Sequence, residues 1–354
     1  MDDDATSERA SRVKALALAL GFDRVGICSP EPSAETRFVR EWVDRGYAGT
    51  MGYIGRRVDE REDPARLMPG VRSMVAVGLA YDPPRSESDT PAPRSPMRVA
   101  SYVGVEDYHD VMLEPLQALA TALEAMVPEE VETRCYVDTG PVLERVFAAR
   151  AGLGWQAKNT CIIDRKLGSR IFLGVLLCSL ELDFDEPASD HCGTCRACLD
   201  ACPTDAFEGP YVLDASRCIA YTTIESREEI EPSLRADHGD WAFGCDICQD
   251  VCPWNRRRRA GDLPDPLGLR ERLAPDPRWV QAELDWVLSL DEEAWRESTR
   301  GSAIRRTRYR GLMRNALVAA GNSGDPGLKP RVQIFAEGED ALLAEHARWA
   351  LERL

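Results

Sequence analysis

Apolar residues recur at helical and strand spacing through the first half of the chain. Val13, Leu16 and Leu20 lie on one face of a predicted helix that ends at Gly21. The other elements predicted by spacing and turn residues are a strand over 24–28, a helix over 37–45, a buried strand over 72–81, a helix over 108–126, a strand over 131–137, a helix from 141 to 150, and strands over 160–164 and 170–178. Strands alternating with helices predict an α/β domain with a mixed or parallel sheet flanked by helices.

The pattern changes twice along the rest of the chain. A Pro/Ser-rich surface loop is predicted over 83–98, inside the first domain, which we place at 1–187. Residues 188–256 are rich in cysteine and too few to need a core of their own. Residues 257–354 begin with a Pro-rich linker to about 278 and continue with amphipathic helices over 303–320 and 341–354, joined by a Gly/Asn/Pro turn. Such helix pairs are the unit of an α-solenoid.

Length and composition limit the class of protein. The 354 residues exceed one ordinary domain, and two or three are expected. The N-terminus is acidic where a secretory signal would be basic, and the longest apolar run, 171–180, is too short to cross a bilayer. Twelve cysteines in such a chain predict reduced thiols, metal ligation and a cytoplasmic protein without a membrane anchor. The net charge of −16 argues against nucleic-acid binding over the whole surface but allows local basic patches.

Two cysteine runs carry the most specific chemistry. They read Cys192-Gly-Thr-Cys195-Arg-Ala-Cys198-Leu-Asp-Ala-Cys202-Pro203 and Cys245-Asp-Ile-Cys248-Gln-Asp-Val-Cys252-Pro253. The first has the spacing with which two-cluster ferredoxins bind iron–sulfur clusters, the fourth cysteine serving the other cluster. A structural zinc pair or disulfides are the alternative, but zinc ribbons seldom add a third cysteine followed by Cys-Pro.

Eight cysteines match the number that two 4Fe–4S clusters need. The first cluster is predicted to be bound by Cys192, Cys195, Cys198 and Cys252. The second run lacks its first cysteine, and Cys218 is expected to replace it. The second cluster is then bound by Cys202, Cys218, Cys245 and Cys248.

Asp138 follows a predicted strand and precedes a predicted helix. Ligands in open α/β sheets collect at the carboxyl ends of strands, so this position suits a catalytic carboxyl. Aspartate is also a favoured helix N-cap, which is the simpler interpretation from the residues alone. A helix N-terminus favours the ionised carboxylate, so a proton-donating role would need burial to oppose it.

Two loops are further candidates for ligand contact. The loop over 152–160 carries Lys158 and Asn159, and its glycines permit close approach to a large ligand. It lacks the full nucleotide-binding patterns, so an ordinary connection between two elements is the alternative. The loop over 100–109 is polar and aromatic, and its His109 is more typical of a cap or packing residue than of a ligand.

A basic stretch lies near the C-terminus. Residues 300–314 contain no acidic residue and carry Arg300, Arg305, Arg306, Arg308, Arg310 and Arg314, while four more arginines occupy 256–259. Arginine is suited to bidentate phosphate contact. In a chain this acidic we favour nucleic-acid contact over a solvated helix face that pairs with the acidic domains.

Several longer motifs follow one another over most of the chain. They are Asp63-Pro64…Leu67-Met68-Pro69-Gly70-Val71-Arg72-Ser73, Tyr102…Gly104…Asp107-Tyr108-His109, Val137-Asp138-Thr139-Gly140-Pro141-Val142-Leu143-Glu144-Arg145, Gly154-Trp155…Lys158-Asn159-Thr160, Gly168-Ser169…Phe172-Leu173-Gly174, Gly301-Ser302…Arg305-Arg306…Gly311-Leu312…Arg314-Asn315-Ala316 and Gly321-Asn322-Ser323-Gly324-Asp325. With the cysteine runs, they resemble the epoxyqueuosine reductases, cobalamin-dependent enzymes of queuosine tRNA modification.

The resemblance implies a catalytic domain that binds base-off cobalamin, a ferredoxin-like insert with two 4Fe–4S clusters, and a HEAT-like segment that grips tRNA. The implied reaction is the last step of queuosine biosynthesis: reduction of epoxyqueuosine to queuosine and water at wobble position 34 of tRNAs with GUN anticodons (Asp, Asn, His and Tyr). Asp138 would be the proton donor. Cobalamin contacts would fall on Arg57, Tyr102, Asp138, Lys158, Asn159, Ile162, Ser169 and Asp246, and tRNA contacts on Arg305, Arg306, Arg308, Arg310 and Arg314.

The resemblance also implies a monomer and an external electron donor, such as flavodoxin or ferredoxin with its reductase. Opening an epoxide reductively needs an electron pair and a proton, whereas clusters deliver electrons singly, so a two-electron nucleophile is compatible with this chemistry. No residue pattern demands cobalt. A corrinoid enzyme related to reductive dehalogenases would not need the arginine-rich tail, and a plain electron-transfer ferredoxin fusion would not need the Asp138 loop.

Overall fold

The computed structural model describes residues 2–82, 94–256, 260–280 and 282–354, with side chains from Ala5 onward. Most of the predicted loop over 83–98 and the arginines at 257–259 therefore lie outside the described residues. The described end of that loop already contains a strand at Arg98–Val99. In the described part of the chain, no helix is long and apolar enough to span a bilayer.

The described chain is a succession of helices and short strands. The helices are α1 (Asp2–Ala19), α2 (Ala34–Asp44), α3 (Gly52–Arg56), α4 (Val58–Glu62), α5 (Tyr108–Glu124), α6 (Glu144–Arg150), α7 (Ala197–Asp200), α8 (Ile219–Ile224), α9 (Pro232–Arg235), α10 (Ile247–Asp250), α11 (Leu269–Arg272), α12 (Pro277–Val280), α13 (Leu284–Ser289), α14 (Glu292–Ser298), α15 (Arg308–Ser323), α16 (Lys329–Ala336) and α17 (Ala341–Leu351). The strands are β1 (Arg24–Cys28), β2 (Ser73–Ala80), β3 (Arg98–Val99), β4 (Thr133–Tyr136), β5 (Trp155–Gln156), β6 (Ile162–Ile163), β7 (Ile171–Cys178), β8 (Phe207–Gly209), β9 (Val212–Leu213) and β10 (Trp241–Phe243).

A four-stranded sheet in the order β1-β2-β7-β4 forms the centre of the first part. Every residue of β2 is buried. Alternate β2 side chains reach opposite faces, as strand geometry requires. Val75 and Val77 pack with residues of α1 and α5, whereas Met74 and Ala76 pack with residues of α6. The predicted sheet with flanking helices is therefore present.

The pairing within that sheet corrects the expectation of a mixed or parallel sheet. β1 with β2, β2 with β7, and β4 with β7 all pair antiparallel, and parallel pairing occurs between the short strands β3 and β10. Alternation of helices and strands does not reveal this, because a connection with several short helices, such as α2 to α4, can return the chain to the end it left. Strand order is set by tertiary packing that the periodicity does not encode.

The C-terminal helices share one core with earlier parts of the chain. α15 is buried continuously from Gly311 to Gly321, and its core also contains Val103 and Phe243. A Cβ at Gly321 would lie 2.7 Å from the Trp349 ring, so glycine permits α15 to approach α17 closely. The predicted pair of helices is present, but the first starts with a 3₁₀ turn over Ala303–Thr307 and α16 lies between them.

Candidate active site and cluster-binding region

Asp138 lies in an irregular turn between β4 and α6. α6 starts at Glu144 with Leu143 at its N-cap, so the interpretations of Asp138 as the cap and of Pro141 as a first-turn residue are wrong. Residues 137–143 separate β4 from α6, and Asp138 adopts a left-handed conformation with φ 56°. Aspartate is among the few residues that tolerate this conformation. Asp138 therefore permits the conformation of the turn and does not cap a helix.

Three groups contact Asp138, and a fourth, Asp107, holds one of them. Its backbone N–H donates to Glu144 Oε1 at 2.9 Å, and its Oδ2 accepts from the Tyr108 hydroxyl at 2.8 Å. The same Oδ2 lies 3.4 Å from His109 Nε2, while His109 Nδ1 lies 2.6 Å from Asp107 Oδ1. The Asp138 side chain remains 67% exposed. The carboxylate is thus oriented by the protein and open to a ligand.

The pKa values of Asp138 and His109 are shifted in opposite directions. Desolvation raises the pKa of Asp138, but hydrogen bonds from His109 and Tyr108, with the positive charges of His109 and Arg145, outweigh it and lower the pKa below its ordinary value. Burial lowers the pKa of His109, but hydrogen bonds to Asp107 and Asp138 raise it to about 9. At neutral pH the pair therefore rests as imidazolium and carboxylate.

Glu144 is the second carboxyl in this turn. Burial, followed by the negative charge of Asp138, raises the pKa of Glu144 to about 7. Sequence reasoning missed Glu144 as well as Tyr108, and it treated His109 as a cap or packing residue. The available signal was that Tyr108 and His109 stand together in one loop and Glu144 follows Asp138 by six residues, but only the fold brings the two loops together.

The loop between β5 and β6 contacts both cysteine runs. Lys158 Nζ donates to the carbonyls of Gly193 and Cys195, at 2.6 and 2.9 Å. Asn159 is buried, and its Nδ2 donates to the Cys248 carbonyl at 3.4 Å. Ile162 is buried in β6, where it pairs with Gln156. Lys158 and Asn159 thus hold the loops that carry the cysteines.

Tyr102, Ser169 and Asp246 each lie within or beside the second cysteine run. Asp246 is buried, and its Oδ2 accepts from the Ser101 backbone N–H at 2.6 Å. Ser169 Oγ donates to Gln249 Oε1 at 2.8 Å. The Tyr102 ring contacts those of Tyr108 and Phe243, with centroids 5.8 and 5.7 Å apart.

Burial, together with the charges of Asp138 and Asp246 among other groups, raises the pKa of Tyr102. Tyr102 is therefore close enough to both Asp138 and Asp246 for their charges to act on it. Arg57 does not join this group through its side chain: it is exposed and its Nε pairs with Glu60 at 3.1 Å.

Three buried polar atoms in this region have no hydrogen-bond partner among the described residues. They are Ser101 Oγ, Asp246 Oδ1 and Arg170 Nε. An unpaired buried polar atom costs about 1–3 kcal/mol, so such atoms usually mark a missing partner. Arg170 also lines a small cavity with Tyr81 and Asn255. The region is suited to a cofactor that presents several polar groups.

The cysteines of the two runs lie close to one another, and their division between two clusters stays a prediction. All twelve lie in the described chain and are free thiols. Burial raises the pKa of Cys252, and the charges of Cys192 and Cys195 raise it further. Burial likewise raises the pKa of Cys245 to about 12, with contributions from the charges of Cys218 and Cys202. Cys252 therefore neighbours the first run, and Cys202 neighbours the second, as the crossover arrangement requires.

Cys161 is a thiol that the sequence reasoning left out. A hydrogen bond between Cys161 and Cys248 lowers the pKa of Cys161, and it places this loop thiol against the second set. Cys161 follows Asn159 in the β5–β6 loop, so the same loop contacts the second run twice. Its position outside both cysteine runs gave no signal in the sequence.

The arginines of the basic stretch have different environments. The side chains of Arg305 and Arg308 are exposed and have no hydrogen-bond or ion-pair partner within the described ranges. Arg306 pairs with Glu225 through two hydrogen bonds of 2.9 Å, and Arg310 pairs with Asp340. Arg227, which the sequence did not indicate, donates to the Arg306 and Thr307 carbonyls and thereby holds this turn.

The prediction that Arg314 contacts tRNA is wrong. It is 0% exposed, so it cannot reach a phosphate. Its guanidinium donates to the carbonyls of Thr222, Ser226 and Glu228, which close the C-terminal end of α8. Burial lowers the pKa of Arg314 to about 10, which leaves it protonated at neutral pH. A run of arginines without acidic residues suggested tRNA contact along its whole length, but α15 is buried from Gly311 onward.

We expect Arg314→Ala to lower the free energy of unfolding by about 2–4 kcal/mol, because three buried carbonyls lose their donor. Chemical denaturation of Arg314→Ala beside Arg305→Ala measures this difference. The exposed Arg305 is the matched control and should change stability by less than about 0.5 kcal/mol. Equal stability of the two variants would contradict the structural role of Arg314.

Comparison with known proteins decides the family. A model described as "Epoxyqueuosine reductase QueG, DUF1730" matches residues 61–139, and one described as "4Fe-4S double cluster binding domain" matches residues 191–255. The epoxyqueuosine reductase of Xanthomonas campestris is 39% identical over 98% of this chain and 96% of its own length. The chain belongs to the epoxyqueuosine reductase family. The Pseudomonas aeruginosa member is also 39% identical, over 97% of this chain and 94% of its own.

Solved epoxyqueuosine reductases share the fold. One crystal structure, with an epoxyqueuosine-modified tRNA-Tyr stem loop, matches with a TM-score of 0.85 and 27% identity, over 97% of this chain and 89% of that one. The Bacillus subtilis enzyme, solved with an aspartate catalytic loop swung out of the active site, matches with a TM-score of 0.86 at the same identity and coverage. As a member of this family, the chain is an oxidoreductase, and its cysteine runs form a 4Fe–4S double-cluster domain. The cluster interpretation is thus confirmed over the zinc and disulfide alternatives.

Proposed function

We propose that this chain reduces epoxyqueuosine to queuosine at the wobble position of tRNAs with GUN anticodons, the last step of queuosine biosynthesis, using base-off cobalamin and two 4Fe–4S clusters. The observation that carries the proposal is the exposed Asp138 carboxylate held by Tyr108, with the Tyr102 ring in contact with Tyr108 and with Phe243, just before the second cysteine run. In this proposal a proton donor and an electron source lie on either side of one ligand region.

The unpaired atoms of Ser101, Arg170 and Asp246 support a cofactor with many amide groups, which cobalamin presents. Tyr102 and Ser169 would hold it with them, whereas Lys158, Asn159 and Ile162 would contribute through the loop that they stabilise. Arg57 would need to turn away from Glu60 to take part. When bound, cobalamin supplies the two-electron nucleophile that single-electron clusters cannot provide.

Asp138 would protonate the oxygen of the opening epoxide. Its exposed carboxyl is held by Tyr108 and its backbone is held by Glu144, so the acid has one orientation when substrate arrives. Positioned general acids typically contribute about 10²–10⁴-fold to a rate. The overall reaction converts an epoxide, two electrons and two protons into an alkene and water.

Electrons would enter through the first cluster. Cys195 is the exposed cysteine of the cluster ligands, whereas Cys245 and Cys248 are partly buried and adjoin the catalytic part. An external donor such as flavodoxin, or ferredoxin with its reductase, would therefore approach the Cys195 face of a monomer. In this proposal the parts are a cobalamin-binding domain at 1–187, the ferredoxin-like insert at 188–256, and a HEAT-like tRNA-binding segment at 257–354.

The exposed arginines of the 3₁₀ turn before α15 are the proposed tRNA contacts. Arg305 and Arg308 are available as they stand, and Arg306 would have to share or exchange its bonds to Glu225. The same rearrangement is needed for Arg310 and Asp340. The structure of a relative with a tRNA stem loop supports a nucleic-acid substrate for this family.

We expect Arg305→Ala with Arg308→Ala to weaken tRNA binding and to reduce the slope of log Kd against log salt by about 2, because two phosphate contacts are lost. Binding isotherms of tRNA at several salt concentrations measure the slope. Arg12→Ala, which removes an exposed arginine on α1, is the control and should leave the slope unchanged. An unaltered slope in the double variant would show that the turn does not contact phosphate.

Anaerobic reconstitution with iron, sulfide and cobalamin tests the cofactor part. Absorption bands of both clusters and corrinoid in the desalted protein support it, and cluster bands alone indicate the ferredoxin alternative. Turnover of a small organohalide, without turnover of epoxyqueuosine-containing tRNA, would instead assign the chain to dehalogenase-like chemistry.

A further inference from the structure

Three side chains form a series of polar contacts that ends at the exposed carboxylate. Asp107 caps α5 and contacts His109 Nδ1 at 2.6 Å. His109 Nε2 in turn lies 3.4 Å from Asp138 Oδ2. The imidazole is 29% exposed and the Asp138 side chain 67% exposed, so the series runs from the protein toward the ligand region.

We propose that His109 is a positioning residue that holds the proton which Asp138 passes to the opening epoxide oxygen. The inference rests on the proposed function and adds the source of the proton. Asp107 fixes the imidazole so that Nε2 points at the carboxylate, and Asp138 is the only member of the series that meets substrate.

Asp138 needs such a source because it rests ionised. Hydrogen bonds from Tyr108 and His109 stabilise its charged form, as does the charge of Arg145. A carboxylate in this state has no proton to give, while the neighbouring imidazolium has one on Nε2. Transfer from Nε2 to Oδ2 moves that proton by one hydrogen bond and produces neutral His109 with protonated Asp138.

The other titratable groups around the pair do not provide this proton. Tyr108 stacks on His109 with centroids 4.0 Å apart, and burial, with the charge of Asp138, raises the pKa of its hydroxyl far above neutrality. Glu144 faces the backbone N–H of Asp138, with its Oε1 occupied as the acceptor. Arg145 is directed to the Thr160 carbonyl and hydroxyl. His109 alone in this set combines a labile proton with contact to the Asp138 carboxylate.

The proton and electron count is consistent. Both C–O bonds of the epoxide break, a carbon–carbon double bond forms, and two electrons from the external donor reduce the substrate. The leaving oxygen takes two protons and departs as water. Each proton passes from His109 Nε2 to Asp138 Oδ2 and then to oxygen, and water reprotonates His109 between the two transfers.

His109→Gln tests the inference through the pH dependence of the reaction. Glutamine can still donate a hydrogen bond to Asp138, but it cannot hold an ionisable proton. Single-turnover rates of the pre-reduced wild-type holoenzyme should stay level through neutral pH and fall above about 9, where His109 loses its proton. In His109→Gln the rate should already fall with rising pH at neutrality, and be reduced at least about tenfold at pH 8.

Superimposable pH profiles of wild type and His109→Gln would overturn the inference. Unchanged tRNA affinity and iron content in the variant separate proton supply from a folding defect. Asp107→Asn is the second variant: asparagine preserves the α5 cap, and the rate should fall less than in His109→Gln.

Nuclear magnetic resonance gives a readout that does not depend on turnover. In the oxidised, reconstituted protein, the His109 ring should titrate with a pKa of about 9, and with a lower pKa in Asp138→Asn. Titration of His109 at its ordinary value in the wild type would contradict the inference. If the wild type fails to convert epoxyqueuosine but His109 titrates as expected, the proposed function is wrong. The contact between His109 and Asp138 would still be supported.

Discussion

Asp138→Asn should reduce the rate of epoxide reduction by about 10²–10⁴-fold, because a positioned acid is replaced by an amide that cannot protonate oxygen. Asparagine is the informative substitution here. It tolerates the left-handed backbone at φ 56°, and its carbonyl can still accept from Tyr108. The turn should therefore keep its shape, and the loss should appear in the chemical step. Single-turnover rates, with tRNA affinity measured separately, isolate that step.

Asp110→Asn is the matched control, since Asp110 is an exposed carboxylate in the first turn of α5. It should leave the single-turnover rate within about twofold of wild type. Asp138→Asn should bind tRNA, clusters and cobalamin like the wild type. A rate in Asp138→Asn close to that of the control would remove Asp138 from the chemistry.

Cys248→Ser should abolish turnover driven by an external donor and remove about half of the iron. Cys248 is a proposed ligand of the second cluster, and its carbonyl and thiol contact Asn159 and Cys161 of the loop nearest the catalytic part. A serine hydroxyl is a poor substitute for a thiolate ligand. Loss of this cluster interrupts the electron path while the first set, with Cys252, stays complete.

Cys135→Ser is the control for that experiment. Cys135 lies in β4 outside both sets and contacts the Leu116 carbonyl, so its loss should change neither iron content nor rate. Iron content and the spectrum of the reduced clusters report the outcome. Full iron content in Cys248→Ser would exclude Cys248 from the ligand set.

The sequence predicted the cysteine chemistry well, because ligand spacing over a few residues is a local property. Cys218 is among the neighbours whose charges raise the pKa of Cys245, and its assignment to the second cluster stays a prediction. Sequence reasoning also placed β1 at the same bounds as the structure and β2 within one residue at each end. These elements are specified by short patterns of apolar residues and turn residues.

Long-range contacts were the source of the errors. Nothing near Asp138 in the sequence indicates that the first turn of α5 will bring Tyr108 and His109 to its carboxylate. Arg314 belongs to the same basic stretch as the exposed arginines, yet the packing of α15 buries it beneath α8. The insertion of β7 between β2 and β4 is another such case, since strand order is decided by packing of the whole domain.

Conversion of epoxyqueuosine within tRNA tests the proposed reductase function most directly. The anaerobically reconstituted wild-type protein is given a reductant and tRNA-Tyr that carries epoxyqueuosine, and the nucleosides are then analysed by mass spectrometry. We expect loss of one oxygen atom to give queuosine, dependent on cobalamin and absent in Asp138→Asn. Unchanged epoxyqueuosine in the presence of reduced clusters and bound cobalamin would contradict it.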